Sequence, residues 1–486
     1  MSSTIIIPIL LAYFSVLLLI SHLTSKNADS ASFFTGNKKS AWYLVAFGMI
    51  GTSLSGVTFI SVPGTVGVGA FHYFQLVIGF FIGYLVVAFV LLPLYYRLNL
   101  SSIYRYLEYR LGFAAYKWGA GFFILSRTLG ATVRLYLVIN VMQLFVFDEL
   151  GIPFWATTIM LMLMILAYTF KGGVKTIVWT DTLQTLFMLI ALIVCIFSLQ
   201  QHLGLGWSQI WTDMDAKNML DLWGTDPNAK DYFLKHVIGG AFITITMTGM
   251  DQEMMQKNIS VKNLKDAQKN MISFSVIILV VNLLFLFLGG MLYLYAQQNG
   301  WQFAPDDMFP TIVKQYLPQG IFLIFIVGLI SALFPSVDGA ITALTSSFCI
   351  DILGFERREQ MTEIEKVKTR KMVHLSFAML FILLVFFFKM MDNKSIIDLV
   401  FLIASYTYGP LLGLFSFGIL TKRNVKNFAV PIVCVLGPLL CYLLNTYSTS
   451  IVVNYQFGNE ILIINGTITF IGLMLFSSRN QPVTAN

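Results

Sequence analysis

Long apolar runs alternate with short polar stretches along the whole chain. Within each run the apolar residues follow one another rather than alternating in twos. Each run is long enough to cross about 30 Å of hydrocarbon as a helix. Thirteen such segments, numbered in order, lie at about 4–24, 42–62, 72–96, 116–147, 153–170, 174–200, 233–257, 270–297, 318–350, 371–391, 396–420, 428–446 and 460–477. Their length and lack of period-2 patterning argue against a β-barrel. The pattern predicts an all-α polytopic membrane protein with one transmembrane domain over 1–486. The longest stretches between segments, about 201–232 and 351–370, are too short to bury a core of their own. Segment 1 has neither a basic leading region nor a distinct cleavage site, so it reads as a retained helix.

Composition sharpens this picture. The 486 residues are 57% hydrophobic and 11% charged, against about 25% charged in soluble proteins. That excludes an ordinary cytosolic enzyme and a disordered chain. The net charge of +7 gains meaning once it is mapped onto loops. With the N-terminus outside, the cytoplasmic loops hold 23 of the 31 Lys and Arg residues, among them Lys26, Lys39, Lys257 and Arg479. Six, including Lys394, fall outside, and Arg127 and Arg134 fall within segment 4. Cytoplasmic loops are enriched in Lys and Arg. The predicted location is therefore the cell (inner) membrane, with the C-terminus cytoplasmic. Cys195, Cys349, Cys434 and Cys441 all lie in apolar stretches and read as small buried hydrophobes. No basic helix face points to nucleic acid, and no feature calls for an obligatory protein partner.

Polar residues inside the apolar runs carry the chemistry, because a bilayer penalises them. The middle of segment 2 holds Gly48, Gly51, Thr52, Ser53, Ser55, Gly56 and Thr58. Such a cluster fits a helix break that frees carbonyls for a small hard cation, and equally fits close helix packing. In segment 9, Pro335 removes a backbone donor. Ser331, Ser336, Asp338 and Thr342 surround it, and Asp338 must be paired, protonated or bound to a cation. Segment 6 opens with Gly172 and Gly173 as a tight reversal and carries Asp181 about two turns on, either a cation ligand or the partner of a lysine. Arg127 and Arg134 share a helix face. They bind an anionic solute or pair with Asp181 or Asp338. Phe74, Gln75 and Gly79 form a polar and aromatic patch at the start of segment 3. Segment 7 ends in TGMDQEMMQK, which places Asp251 and Glu253 near the cytoplasmic boundary. Tyr406, Tyr408, Gly409 and Pro410 predict an irregularity in segment 11. A P-loop, an HExxH motif, a Cys/His cluster and a TVGYG filter are all missing from the sequence.

Four stretches, SLSGVTFISVPG, YTFKGGVKTIVWTDTLQ, TGMDQEMMQ and YGPLLGL, give the chain a resemblance to the sodium/solute symporter family over about residues 4–478. This family includes sodium-coupled sugar, sialic acid, monocarboxylate, proline and iodide transporters. The resemblance implies a LeuT-like fold of two inverted five-helix repeats, here 42–200 and 233–420, with accessory helices in 1–41 and 421–486. It implies a principal sodium site made by the carbonyls of Gly51, Leu54, Ala332 and Pro335 and the hydroxyl of Ser336. In some members a second site uses the aspartate at Asp181 with hydroxyls from segment 9; here Asp338 and Gly339 stand in their place. Solute is expected beside the segment 2 break, at Ser53, Ser55 and Thr58, facing Phe74 and Gln75, with Arg127 or Arg134 available for a carboxylate.

The expected function is a sodium-coupled symporter that imports a small organic solute by alternating access, with sodium as the coupling ion. The solute would be a carboxylated sugar such as sialic acid, another sugar, or a monocarboxylate. The alternatives are a proton-coupled carrier of the same fold, a transporter-like membrane sensor, which would be expected to continue into a signalling domain, and an intramembrane enzyme using Asp181 and Asp338.

Overall fold

The chain is described by a computed structural model, which covers residues 6–25, 38, 40–358, 360–391, 396–447 and 455–478. Lys26, Lys39, Lys394 and Arg479 lie outside the described residues. The first half contains α1 (Ile6–Ser25), α2 (Trp42–Ser53), α3 (Gly56–Gly69), α4 (Tyr73–Arg97), α5 (Phe113–Phe147), α6 (Phe154–Phe170) and α7 (Thr176–Leu203). The second contains α8 (Phe233–Gly249), α9 (Gln252–Ile259), α10 (Leu264–Gln298), α11 (Gln319–Ser347), α12 (Glu363–Met390), α13 (Ile396–Thr407) and α14 (Gly409–Leu420). Two more helices follow, α15 (Ala429–Thr446) and α16 (Glu460–Leu475). A two-residue antiparallel ladder joins Asn424–Val425 to Ser477–Ser478.

Among the described residues, eight helices are long and apolar enough to cross a membrane, or eleven if each of three bent pairs is one span. Thirteen crossings would also require the shorter apolar helices α6 and α16. The bent pairs are α2–α3 (59°), α8–α9 (64°) and α13–α14 (45°).

Local chemistry explains where the helices bend. Leu54 and Ser55 separate α2 from α3, between a hydroxyl-rich stretch and Gly56. A side chain at Gly56 would collide with Val138 of α5, so the start of α3 can approach that helix only as glycine. Gly173 turns the chain between α6 and α7 at φ 55°, in the left-handed region that glycine adopts without a steric penalty. The predicted irregularity at Tyr408–Pro410 is the α13–α14 bend. Pro335, by contrast, does not interrupt α11. Two of the longest helices also end alike: α5 closes in a π turn at Gln143–Phe147, and α11 is followed by one at Phe348–Ile352.

Large apolar residues face outward, among them Leu125, Leu163, Phe197, Leu383 and Leu439. Carboxylates and a lysine are buried inside. This inversion of the soluble pattern suits a hydrocarbon surround. The four cysteines are buried and free. Phe59 of α3 packs against Phe285, Phe309 and Phe325 at centroid distances of 5.6, 5.5 and 5.6 Å. That cluster anchors the half-helix beyond the break, leaving the break itself as the irregular element.

Candidate functional site

The α2–α3 break brings together most of the predicted site. Leu54 N–H still donates to the Ile50 carbonyl at 2.7 Å, and the next backbone bond across the gap ends on Ser55. Among the described residues, no donor reaches the carbonyls of Gly51, Thr52, Ser53 or Leu54. Four bare carbonyls in a buried stretch are costly unless a ligand or water meets them. Gly51 lies tight against its neighbours: its N–H donates to Thr185 Oγ1 of α7 at 3.0 Å, and an added Cβ would stand 2.5 Å from that oxygen and 3.3 Å from Pro335 Cγ. The break thus faces the stretch of α11 that carries Ala332, Pro335 and Ser336. Ser336 Oγ donates to the Leu333 carbonyl at 2.7 Å, which leaves its lone pairs free to accept. Neutral carbonyl and hydroxyl oxygens in this arrangement fit an alkali cation. Among the described residues, no group of three or more His, Cys, Asp or Glu side chains is placed to hold a metal.

Beside the break lies a cavity of about 90 Å³. Thr52, Ser53, Ser55 and Thr58 line one side, and Thr244, Thr248 and Asn282 contribute further polar groups from α8 and α10. Tyr73, Phe80 and Tyr84 of α4 supply aromatic walls, and Tyr84 OH lies 3.3 Å from Ser53 Oγ. Ile397, Val400 and Phe401 of α13 complete the lining.

Phe74 and Gln75 were expected here, but neither lines the cavity. The helix presents Tyr73, Phe80 and Tyr84, at i, i+7 and i+11, on the cavity face. Gln75 shares its face with Gly79 and Gly83, which are pressed against the backbone of α8. A one-residue error in phase, about 100° of rotation, therefore exchanged the lining for the packing face.

Both arginines line this cavity, and they differ in their partners. Arg127 is engaged: its Nη2 bonds Glu253 Oε2, and Nη1 lies 3.9 Å from Asp251 Oδ2. The expected partners Asp181 and Asp338 do not meet it. Arg134 lines the same cavity, and among the described residues no hydrogen bond or ion pair reaches its guanidinium. A planar cation with unused donors in an aromatic and hydroxyl-lined pocket is suited to bidentate binding of a carboxylate.

The acidic residues of the TGMDQEMMQK stretch lie at and just after a helix break. The α8–α9 break carries them into the interior, where Asp251 and Glu253 are buried. Asp251 caps α9, accepting from the N–H groups of Glu253 and Met254 at 2.9 and 3.2 Å. Tyr408 OH donates to its other oxygen at 2.7 Å. Tyr95 OH and Tyr104 OH donate to the carbonyls of Gly249 and Met250 at 2.7 and 3.0 Å.

Lys257 was assigned to a cytoplasmic loop, yet it is only 3% exposed. Its Nζ donates to Asp181 Oδ2 at 2.7 Å and Thr52 Oγ1 at 2.5 Å, and lies 3.6 Å from Glu253 Oε1. The lysine that meets Asp181 is therefore remote in sequence. Asp338 accepts from Tyr168 OH at 2.6 Å. Among the described residues, one oxygen each of Asp181, Asp338 and Glu253 has no hydrogen-bond partner. The spacing of Glu253 and Lys257, one helical turn apart, was the available signal, but it is equally the signature of a solvated helix end.

Residues 33–431 match the model of the sodium:solute symporter family. The chain is 22% identical over 478 residues to the sodium/sialic acid symporter SiaT of Proteus mirabilis (strain HI4320), covering 95% of this chain and 94% of that protein. It is 27% identical over 405 residues to mouse (Mus musculus) sodium-coupled monocarboxylate transporter 1, covering 80% of this chain and 64% of the transporter. The solved structure of a sodium-coupled sialic acid symporter, substrate-bound and outward-open, superposes with a TM-score of 0.84 at 20% identity, covering 97% of each chain.

Proposed function

The chain belongs to the sodium:solute symporter family, a family of membrane transporters, and from that premise we propose that it couples sodium entry to uptake of a small carboxylated organic solute. The observation that carries this reading is a break whose carbonyls at Gly51–Leu54 meet no donor among the described residues, beside a cavity lined by Arg134, whose guanidinium meets no partner among them either. Sodium is held by the carbonyls of Gly51 and Leu54 and, across the gap, by Ala332, Pro335 and Ser336 of α11. The solute lies beside the break. Its carboxylate meets Arg134, and its hydroxyls or amides meet Ser53, Ser55, Thr58, Thr244 and Asn282. Sialic acid and monocarboxylate symport by the relatives supports a carboxylate.

Coupling follows from geometry. Both ligands bear on the same irregular backbone between α2 and α3. Each therefore favours the arrangement that the other needs, and the coupling is reciprocal. Alternating access is then a rearrangement of two inverted repeats, 42–200 and 233–420. The broken pairs α2–α3 and α8–α9 and the matching π-ended helices α5 and α11 support that division. The membrane is the cell (inner) membrane, with the N-terminus outside, as the loop charges indicate.

Uptake into proteoliposomes under sodium, potassium or proton gradients tests the reading. Radiolabelled carboxylated sugars and short monocarboxylates serve as solutes. Accumulation driven by the sodium gradient alone is expected. Equal accumulation under all three gradients would refute sodium coupling. A solute profile indifferent to the carboxylate would refute the role of Arg134.

A further inference from the structure

Asp181 sits where a carboxylate would be expected to hold a cation, and the structure supplies a cation from the chain itself. We propose that the ammonium of Lys257 is a built-in cation filling the cation position at Asp181, so that this carrier takes up a single mobile sodium ion rather than two. The inference rests on the sodium-coupled reading above and adds to it a fixed stoichiometry.

Lys257 lies on α9, the inner half of the second broken pair. Its Nζ reaches two other elements: Asp181 Oδ2 on α7 and Thr52 Oγ1 at the first break, at 2.7 and 2.5 Å. Thr52 Oγ1 also donates to Asp181 Oδ2 at 3.2 Å, so hydroxyl and ammonium converge on one carboxylate oxygen. Three oxygens at 2.5, 2.7 and 3.6 Å surround the Nζ atom. A buried ammonium is retained only when it is paired in this way.

The neighbouring residues of α11 fit around this pair. Pro335 offers no hydroxyl. An added Cβ at Gly339 would run into Glu253 Oε1, so a serine or threonine cannot stand there while Glu253 keeps its place. That same Glu253 oxygen faces Lys257, and the other oxygen bonds Arg127. Glycine at 339, glutamate at 253 and lysine at 257 thus fit together in space, with the ammonium and the Glu253 carboxylate filling the room beside Asp181 and Gly339. Asp181 Oδ1 has no partner, so the carboxylate could take a free cation once the ammonium is removed.

Counting bound sodium tests this. Equilibrium dialysis of the purified full-length chain with radioactive sodium should give about one ion per chain, and Lys257→Met should give about two, because the uncompensated Asp181 recruits an ion. Lys257→Arg, which keeps the charge, should stay at about one. In proteoliposomes, Lys257→Met should steepen the sodium dependence of uptake correspondingly. Two ions on the native chain, or one on Lys257→Met, would overturn the proposal. If Lys257→Met does not fold, Lys257→Met combined with Asp181→Asn removes both charges and should bind about one ion; two would show a site independent of Asp181 and overturn it. No bound sodium on the native chain would refute the symport reading itself, an outcome distinct from a count of two.

Discussion

At the α2–α3 break the carbonyls of Gly51 to Leu54 meet no donor among the described residues, whereas at the α8–α9 break the carbonyls of Gly249 and Met250 each accept from a tyrosine. The second break is closed further by Asp251, which caps α9 and is itself held by Tyr408. Both breaks bend the chain by about the same amount, 59° and 64°. Irregular backbone inside a membrane bundle must be satisfied by something. Where the protein provides the donors, the break is a shaped joint; where it withholds them, the carbonyls are left for the proposed ligand. The two arginines of α5 show the same contrast: both line the cavity, but Arg127 is matched by Glu253, while Arg134 meets no partner among the described residues and is the one proposed to bind solute.

Substitutions on each side should therefore fail in different ways. The largest effect is expected from Arg127→Met, which removes the hydrogen-bonded partner of buried Glu253, leaves it only Lys257 at 3.6 Å, and should cost about 3 kcal/mol of stability; thermal unfolding in detergent reads it, and a wild-type melting temperature would break the comparison. Arg134→Met should leave that melting temperature alone and lower solute affinity at least about tenfold, the loss expected for a charged hydrogen-bonding partner; unchanged affinity would remove Arg134 from the site. Ser336→Ala should raise the sodium concentration for half-maximal uptake by several-fold, the effect of losing about 1 kcal/mol of hydroxyl interaction, while an unaltered sodium titration would count against the α11 side of the site. Tyr104→Phe should lower stability by about 1 kcal/mol with sodium dependence preserved, and a shifted sodium dependence would mean that the second break also takes part in binding.

The smallest effect lies far from both breaks. Burial pushes the Asp231 carboxyl up, but the hydrogen bond to His72 and the charges of His72 and His236 outweigh it, and the pKa falls below the ordinary carboxylate value. Its stabilising contribution is present above the unfolded pKa of about 3.9 and is lost as pH falls through the lower folded value. Asp231→Asn should lower the melting temperature slightly near neutral pH and flatten its fall on the acid side, and an unchanged pH profile of melting would count against that contribution.

Much of this arrangement can be read from particular residues. Gly51, Ser55 and Gly56 announce the first break because glycine and hydroxyl residues weaken a helix wherever they cluster. Gly173 announces the α6–α7 reversal, and Gly409 with Pro410 the bend before α14. The second break follows a similar run, Thr244, Thr246, Thr248 and Gly249, but it is held by tyrosines about 150 residues away in sequence, and those tertiary partners leave no local trace. For the same reason Asp251, Glu253 and Lys257 looked like a solvated helix end. The exchange of Tyr73 for Phe74 and Gln75 has a different origin: periodicity identifies a helix well, but its rotation about its own axis depends on neighbours such as the α8 backbone against Gly79 and Gly83.

A cation fastened to the chain never completes the journey across the bilayer. With a singly charged carboxylate as passenger and one free sodium ion beside it, each turnover would be electroneutral. Transferring one elementary charge through 100 mV is worth about 2.3 kcal/mol, and such a carrier would forgo that assistance. Its steepest attainable solute gradient would be the ratio of sodium concentrations alone, indifferent to whether the cell is polarised.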